Sequence, residues 1–348
     1  MKNKKVVILF SRLSDYMLTM FNSYASRESV ELFIFIKSPD EKEAPFVLNL
    51  NEKNITFLNQ DHFDKIKLID KVEEIDPNLI ICSGWSNHKY NAVINKFYRK
   101  KPCILTMDNQ WLGSLKQYFG LLYSRLFIKP KFNKIWVPGS TQKAFALKLG
   151  FKKENIITGW YVANEKKFTK QRTNINHEFV FVGRYVKIKG IEELWNAFIK
   201  LKETTSNNWK LTCIGTGELY EQKTEHPDIN HLGFLQPNEL QEYTKKGGVF
   251  VLPSHFEPWG VVVHEFALSS YPMIVSDKVG AASQFVTNQN GIIFESNNVN
   301  DLYNTMLKIV SLTNQELLEM SRASHSNGKT VSSENWINNM NSLLENAN

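Results

Sequence analysis

The sequence predicts an α/β protein built from two doubly wound parallel sheets, and three observations carry that prediction. Short apolar runs rich in β-branched residues come in two series, at 6–10, 32–36, 79–82, 103–107 and 135–138, then at 179–182, 210–214, 249–252, 273–275 and 291–294. They end in small or polar residues, as strands covered on both faces do. Helix-length segments separate several of them, so strand and helix alternate. The 348 residues suffice for about two domains with a core each.

In the first series, segments 62–74 and 141–149 read as helices before the third run and after the fifth. A polar stretch follows Ile157, and the second series then resumes with amphipathic helices at 191–202 and 300–310. The expected organisation is a first domain at 1–162, a linker at 163–172 and a second domain at 173–328. Two such sheets joined by a linker imply a cleft. In open parallel sheets ligands bind beyond the carboxyl ends of strands, so residues just after each run are the candidates.

Composition narrows the function. With 42% hydrophobic and 22% charged residues the chain should fold throughout, which excludes a disordered protein. The net charge of +7 is unevenly placed: residues 77–153 hold fourteen Lys and Arg and one acid, Asp108. Such a field attracts anionic lipid, nucleic acid or phosphorylated acceptors. No recognition-helix, RNP or zinc-finger pattern is present, so nucleic acid is not expected. Cys82, Cys103 and Cys213 sit in apolar runs without metal spacing and read as core thiols of a reducing compartment. No apolar run approaches the ~20 residues needed to cross a bilayer, and the start lacks a signal-peptide core, so the expectation is a cytoplasmic protein.

Several motifs fail on their context. The segment 323–330 (ASHSNGKT) puts Ala where a phosphate-binding loop needs its first Gly, and a helix-like stretch precedes it. Gly215-Thr216-Gly217 lacks the third glycine of a dinucleotide fingerprint. His264-Glu265 has no second histidine at zinc-protease spacing, and no D-x-D occurs, so neither metal nor other cofactor is expected.

Residues 249–269 carry the main chemical signal. A strand ending at Leu252 gives way to a Pro/Ser loop, and an apolar helix can begin near Pro258 or Gly260, with Glu257 before it and Glu265 inside it. Were both helical, eight residues at 100° would set them about 80° apart and ~12 Å along the axis. With Glu257 on the loop both can face a long ligand, each accepting hydrogen bonds from hydroxyls. The amides at 259–261 could hold an anion between them. The run 179–182 delivers Gly183, Arg184 and then Lys189 to the same edge, a guanidinium and an ammonium able to neutralise a diphosphate. Asp108 follows the run 103–107 at the carboxyl edge of the first sheet. Nearby cations would keep it ionised, and it could orient an acceptor hydroxyl or stabilise charge on a sugar ring; a turn-forming Asp-Asn pair is the plain alternative.

EPWGVVVHE at 257–265 resembles the E-x7-E signature of retaining GT-B glycosyltransferases of family 4. FVGRYVKIKGIEEL at 181–194, CIGTGE at 213–218, GFLQPNEL at 233–240 and Asn290-Gly291 match in order, so the resemblance covers roughly residues 179–302. It implies a GT-B fold of two Rossmann-like domains, and a retaining, metal-independent hexosyltransferase using a nucleoside diphosphate sugar, UDP before GDP. The acceptor would be a hydroxyl of a cell-surface or lipid-linked glycan. By the same resemblance Glu257 would contact donor-sugar hydroxyls, Glu265 the ribose, and Arg184 and Lys189 the diphosphate. Gly183 and Gly215 would let backbone approach the nucleotide, Phe234 and Leu235 would line the base, and Gly260 and Val261 would offer amides. A last helix at about 330–348, anchored by Trp336, would return to the first domain. A nucleotide-sugar sensor or inactive scaffold, and a GT-B phosphorylase or epimerase, would keep the same binding residues. The loop 10–14 and Val279-Gly280-Ala281-Ala282 depart from the family's glycine pattern.

The segment 115–134 interleaves aromatic and aliphatic residues with five cations. That composition suits a helix lying in the interface of an anionic membrane, and equally a core-facing helix with a solvated basic side.

Overall fold

The computed structural model describes residues 3–37 and 53–345. The chain forms two compact units, one running to Val162 and resuming at Ser332, the other Ala163–Val331. The first unit's sheet holds β1 (Lys4–Leu9), β2 (Val30–Ile36), β3 (Ile55–Asn59), β4 (Leu79–Ser83), β5 (Cys103–Thr106), β6 (Lys134–Trp136) and β7 (Ile156–Ile157). The second holds β8 (Glu178–Val182), β9 (Lys210–Ile214), β10 (Ile229–Gly233), β11 (Val249–Leu252), β12 (Met273–Ser276) and β13 (Gly291–Phe294). Every described pairing is parallel. The orders are β3-β2-β1-β4-β5-β6-β7 and β10-β9-β8-β11-β12-β13. Both are doubly wound, with the order reversing between β1 and β4 and between β8 and β11, as the two-sheet GT-B class requires.

Central strands such as β1, β4 and β11 are buried on both faces over their apolar stretches, residues 6–9, 79–82 and 249–252, which is why these read as unbroken runs. The three strands not recognised from the sequence, β3, β7 and β10, are all at sheet edges. β10, INHLG, alternates buried and open positions, and β7 is two residues long, so neither offers a continuous run.

Residues 163–172, expected as a linker, are built into the second unit instead. They include the helical turn Glu165–Phe168 with Phe168 buried, and Arg172 Nε donates to the Ser269 carbonyl at 2.9 Å. Two buried apolar residues, Ala163 and Phe168, and the unit's own acceptors hold a stretch whose composition alone looks solvated. The terminal helix Ser333–Glu345 packs in the first unit, where Trp336 Nε1 donates to the Trp160 carbonyl at 3.1 Å. Cys82, Cys103 and Cys213 are free and buried, and burial pushes the thiols of Cys103 and Cys213 up to about 12. Residues 323–328 lie inside the helix Asn314–Gly328, which leaves no loop there to cradle a phosphate.

Candidate functional site

In the second sheet the loops leaving β8 and β11 diverge at the strand-order reversal, and the sequence places its main candidates on those two loops. The loop after β8 carries Gly183, exposed Arg184, and a tight turn Lys187–Lys189 that hands the chain to the helix Ile191–Thr204. The loop after β11 carries Glu257 and ends at Gly260, where the helix Val261–Leu268 begins. Two contacts stitch the loops together. The His255 amide donates to the Ile188 carbonyl at 2.8 Å, and the Lys189 ammonium donates to the Glu257 carboxylate. Lys189 and Glu257 side chains are 17% and 15% exposed, so the pair is shielded enough for charge to matter yet still reachable by a ligand.

Glu257 is aimed by backbone. Its amide donates to the Lys278 carbonyl at 3.1 Å and its carbonyl accepts from the Gly280 amide at 3.0 Å; Ala281 N–H likewise donates to the Trp259 carbonyl at 2.8 Å. The segment departing from the family's glycine pattern therefore acts as the rail for the Glu257 loop, a role the sequence did not reveal. Gly260 has φ 90°, and a Cβ there would stand 3.0 Å from Cγ of Glu257. Any larger residue would be strained and would push the carboxylate.

At β9 the close approach concerns backbone alone. Gly215, with φ 139°, packs so that a Cβ would sit 1.9 Å from the Gly183 carbonyl oxygen. The loops bearing Gly183 and Gly215 thus pack directly, and only glycine fits. Phe234 and Leu235 follow β10 at the same edge, half-buried, before the helix Pro237–Thr244. Val261 opens the helix Val261–Leu268, and Glu265 lies at its fifth residue, partly exposed. The second unit's candidates thus leave four neighbouring strands at one sheet edge.

His264, beside Glu265, was given no role in the sequence. It is fully buried, stacked 4.3 Å from the Phe285 ring, and its Nδ1 accepts from the Ala163 amide at 3.1 Å. That places the ring proton on Nε2, which donates to the Gly328 carbonyl at 2.8 Å. Burial holds its pKa down at about 4 against 6.5. The unfolded chain therefore binds the proton first. The resulting stability is fully present above pH 6.5 and lost as the pH falls toward 4, about 3 kcal/mol at about 1.4 kcal/mol per pH unit. Urea unfolding of wild type should weaken across that window, whereas His264→Gln, which cannot ionise, should show a flatter profile; equal slopes would refute the assignment.

In the first unit, Asp108 follows β5 and its Oδ2 accepts from the Tyr161 hydroxyl at 3.3 Å. Burial, then the Asp108 charge, raises the Tyr161 phenol well above its ordinary value, so it stays a donor. Tyr161 was not singled out in the sequence; a lone Tyr far along the chain carries no spacing signal. Among the described residues no group of three or more His, Cys, Asp or Glu is placed to hold a metal ion.

Comparison with known proteins bears on the family and the fold. Residues 163–329 match the family model "Glycosyl transferases group 1". An uncharacterised glycosyltransferase of Methanocaldococcus jannaschii is 32% identical over 159 residues, 44% of this chain and 42% of that protein. The capsular polysaccharide biosynthesis glycosyltransferase CapM of Staphylococcus aureus is 31% identical over 182 residues, 49% of this chain and 46% of CapM. The match thus spans less than half the length of these relatives. Among solved structures, sucrose-phosphate synthase of Thermosynechococcus elongatus superposes with TM-score 0.75 at 14% identity, covering 99% of this chain and 98% of that one. Anabaena HepE in complex with UDP and glucose does so with TM-score 0.75 at 13% identity, covering 99% and 100%. Those two likenesses are of fold.

Proposed function

We propose that this protein is a retaining, metal-independent glycosyltransferase of the group 1 type. It moves a hexose from a nucleoside diphosphate sugar, UDP before GDP, to a hydroxyl of a cell-surface or lipid-linked glycan. The observation that carries the reading is the Lys189–Glu257 pair at the strand-order reversal of the second sheet. A cation for phosphate and a carboxylate for sugar hydroxyls already meet there, in the unit that carries the family match.

On donor binding the diphosphate takes up Lys189, with Arg184 as a fork on its oxygens, and the sugar hydroxyls take up Glu257. Gly183 and Gly215 let the phosphates approach backbone, Gly260 and Val261 offer amides, Glu265 accepts from the ribose, and Phe234 and Leu235 flank the base. The bond from the anomeric carbon to the phosphate oxygen breaks, and the acceptor oxygen attaches on the same face. The leaving phosphate takes the acceptor proton while the two cations stabilise its charge. Asp108 of the first unit is assigned to orient the acceptor hydroxyl. HepE bound with UDP and glucose is consistent with such a donor, and CapM's name with such a product.

Thermal unfolding with UDP, GDP and ADP sugars tests the donor. The matching sugar nucleotide at a hundredfold excess over its dissociation constant stabilises by about 2.7 kcal/mol and raises the melting temperature. Arg184→Ala should lose much of that shift while unfolding normally without ligand. No shift with any donor, or an undiminished shift in the variant, would sink the proposal; an inverted anomeric product, read by NMR, would sink its stereochemical part.

A further inference from the structure

The helix Leu115–Tyr123 has no buried residue, and its apolar stripe points away from the protein. Leu115, Phe119 and Leu122 recur at i, i+4 and i+7, one face of the helix, and are 78%, 76% and 62% exposed; Leu126, in the π-helical turn Ser124–Ile128 that follows, is 60% exposed. Tyr118 and Tyr123 flank the stripe, 58% and 53% exposed. The other side of the same segment meets the first unit: Leu121 packs against the core and Ile128 belongs to it. The sequence left open a core-facing or an outward apolar face, and the structure has it outward. Exposed aromatic and aliphatic side chains in one stripe mark a surface that something covers.

We propose that this face lies on an anionic lipid bilayer. The charge pattern selects that occupant. Residues 109–153 contain no Asp or Glu, while Lys116, Arg125, Lys129 and Lys131 rise from the segment itself. A second copy placed symmetrically would bring this basic face against its own like charge. Anionic headgroups satisfy both halves of the surface: the stripe enters the acyl boundary, the tyrosines sit at headgroup level, and the cations meet phosphate. The helix lies on the membrane, since no helix of the described residues is long and apolar enough to cross one. The segment starts seven residues after Asp108, so docking brings lipid beside the carboxyl edge of the first sheet. Vesicle binding does not depend on the transferase reading, and failure of either leaves the other testable.

Co-sedimentation of the full chain with vesicles of phosphatidylcholine alone, and with roughly one third phosphatidylglycerol, is the test. Binding is expected to the anionic vesicles, weakening as salt rises, and little to the neutral ones. Phe119→Ser with Leu122→Ser should lower the partition coefficient roughly tenfold or more, with unchanged circular dichroism and melting temperature, because both side chains are already in solvent. Lys116→Glu should lower it less, and only at low salt. Absence of binding to anionic vesicles would overturn the proposal. So would undiminished binding by the double serine variant, or a vesicle-free dimer that this variant dissociates.

Discussion

Glu257→Gln lowers kcat by about a hundredfold or more while leaving the melting temperature within a few degrees of wild type. The two effects separate because the loop is held through its backbone: Glu257 N–H to Lys278, Glu257 carbonyl to Gly280, and a bridge to Val279. Gln keeps the shape of the side chain while removing the charge and turning one acceptor oxygen into a donor NH2. Lys189→Met should cost a similar factor, because the ammonium loses its task at the departing phosphate. The double variant should cost little more than either alone, since each group works through the other's position. Steady-state kinetics with the donor identified by thermal shift reads all three. Full turnover in Glu257→Gln would remove that carboxylate from the chemistry, and strictly multiplicative losses in the double variant would mean that the two groups act independently rather than as a pair.

How much of this could be read from the sequence depended on where the residues sit. Central strands announce themselves because both faces are buried, whereas the edge strands β3, β7 and β10 keep water on one side and dilute their own pattern. Loop candidates in the second unit were legible because each lies just after a strand, and parallel topology gathers strand ends at one edge. That Lys189 reaches Glu257 was not legible; it depends on two loops 68 residues apart being tied by the Ile188 carbonyl. His264 and Tyr161 escaped for the same reason. Their meaning lies in partners distant in sequence, Ala163 and Gly328 for one, Asp108 for the other. The outward stripe at 115–126 was visible as a pattern, but amphipathic periodicity gives a helix two faces without saying which meets the core.

Trp336→Ala should destabilise the protein by about 3–5 kcal/mol, the cost of emptying a buried aromatic site. The terminal helix buries Trp336, Ile337, Met340, Leu343 and Leu344 along one face, at the spacing of an amphipathic helix. Trp336 stands at its centre, 1% exposed, with the rings of Trp136, Tyr24, Trp160 and Phe21 at 5.2, 5.8, 6.0 and 6.1 Å. Its indole N–H also satisfies the Trp160 carbonyl, which an alanine leaves to find another partner. The exposed Arg27–Glu334 pair beside it contributes little, being open to screening, so the aromatic cluster carries the attachment. Trp336→Phe separates the contributions: it keeps most of the ring contacts, loses the hydrogen bond, and should cost clearly less than the alanine change. Urea unfolding followed by tryptophan fluorescence gives both values. A Trp336→Ala protein as stable as wild type would mean that the helix Ser333–Glu345 is held by something other than this cluster.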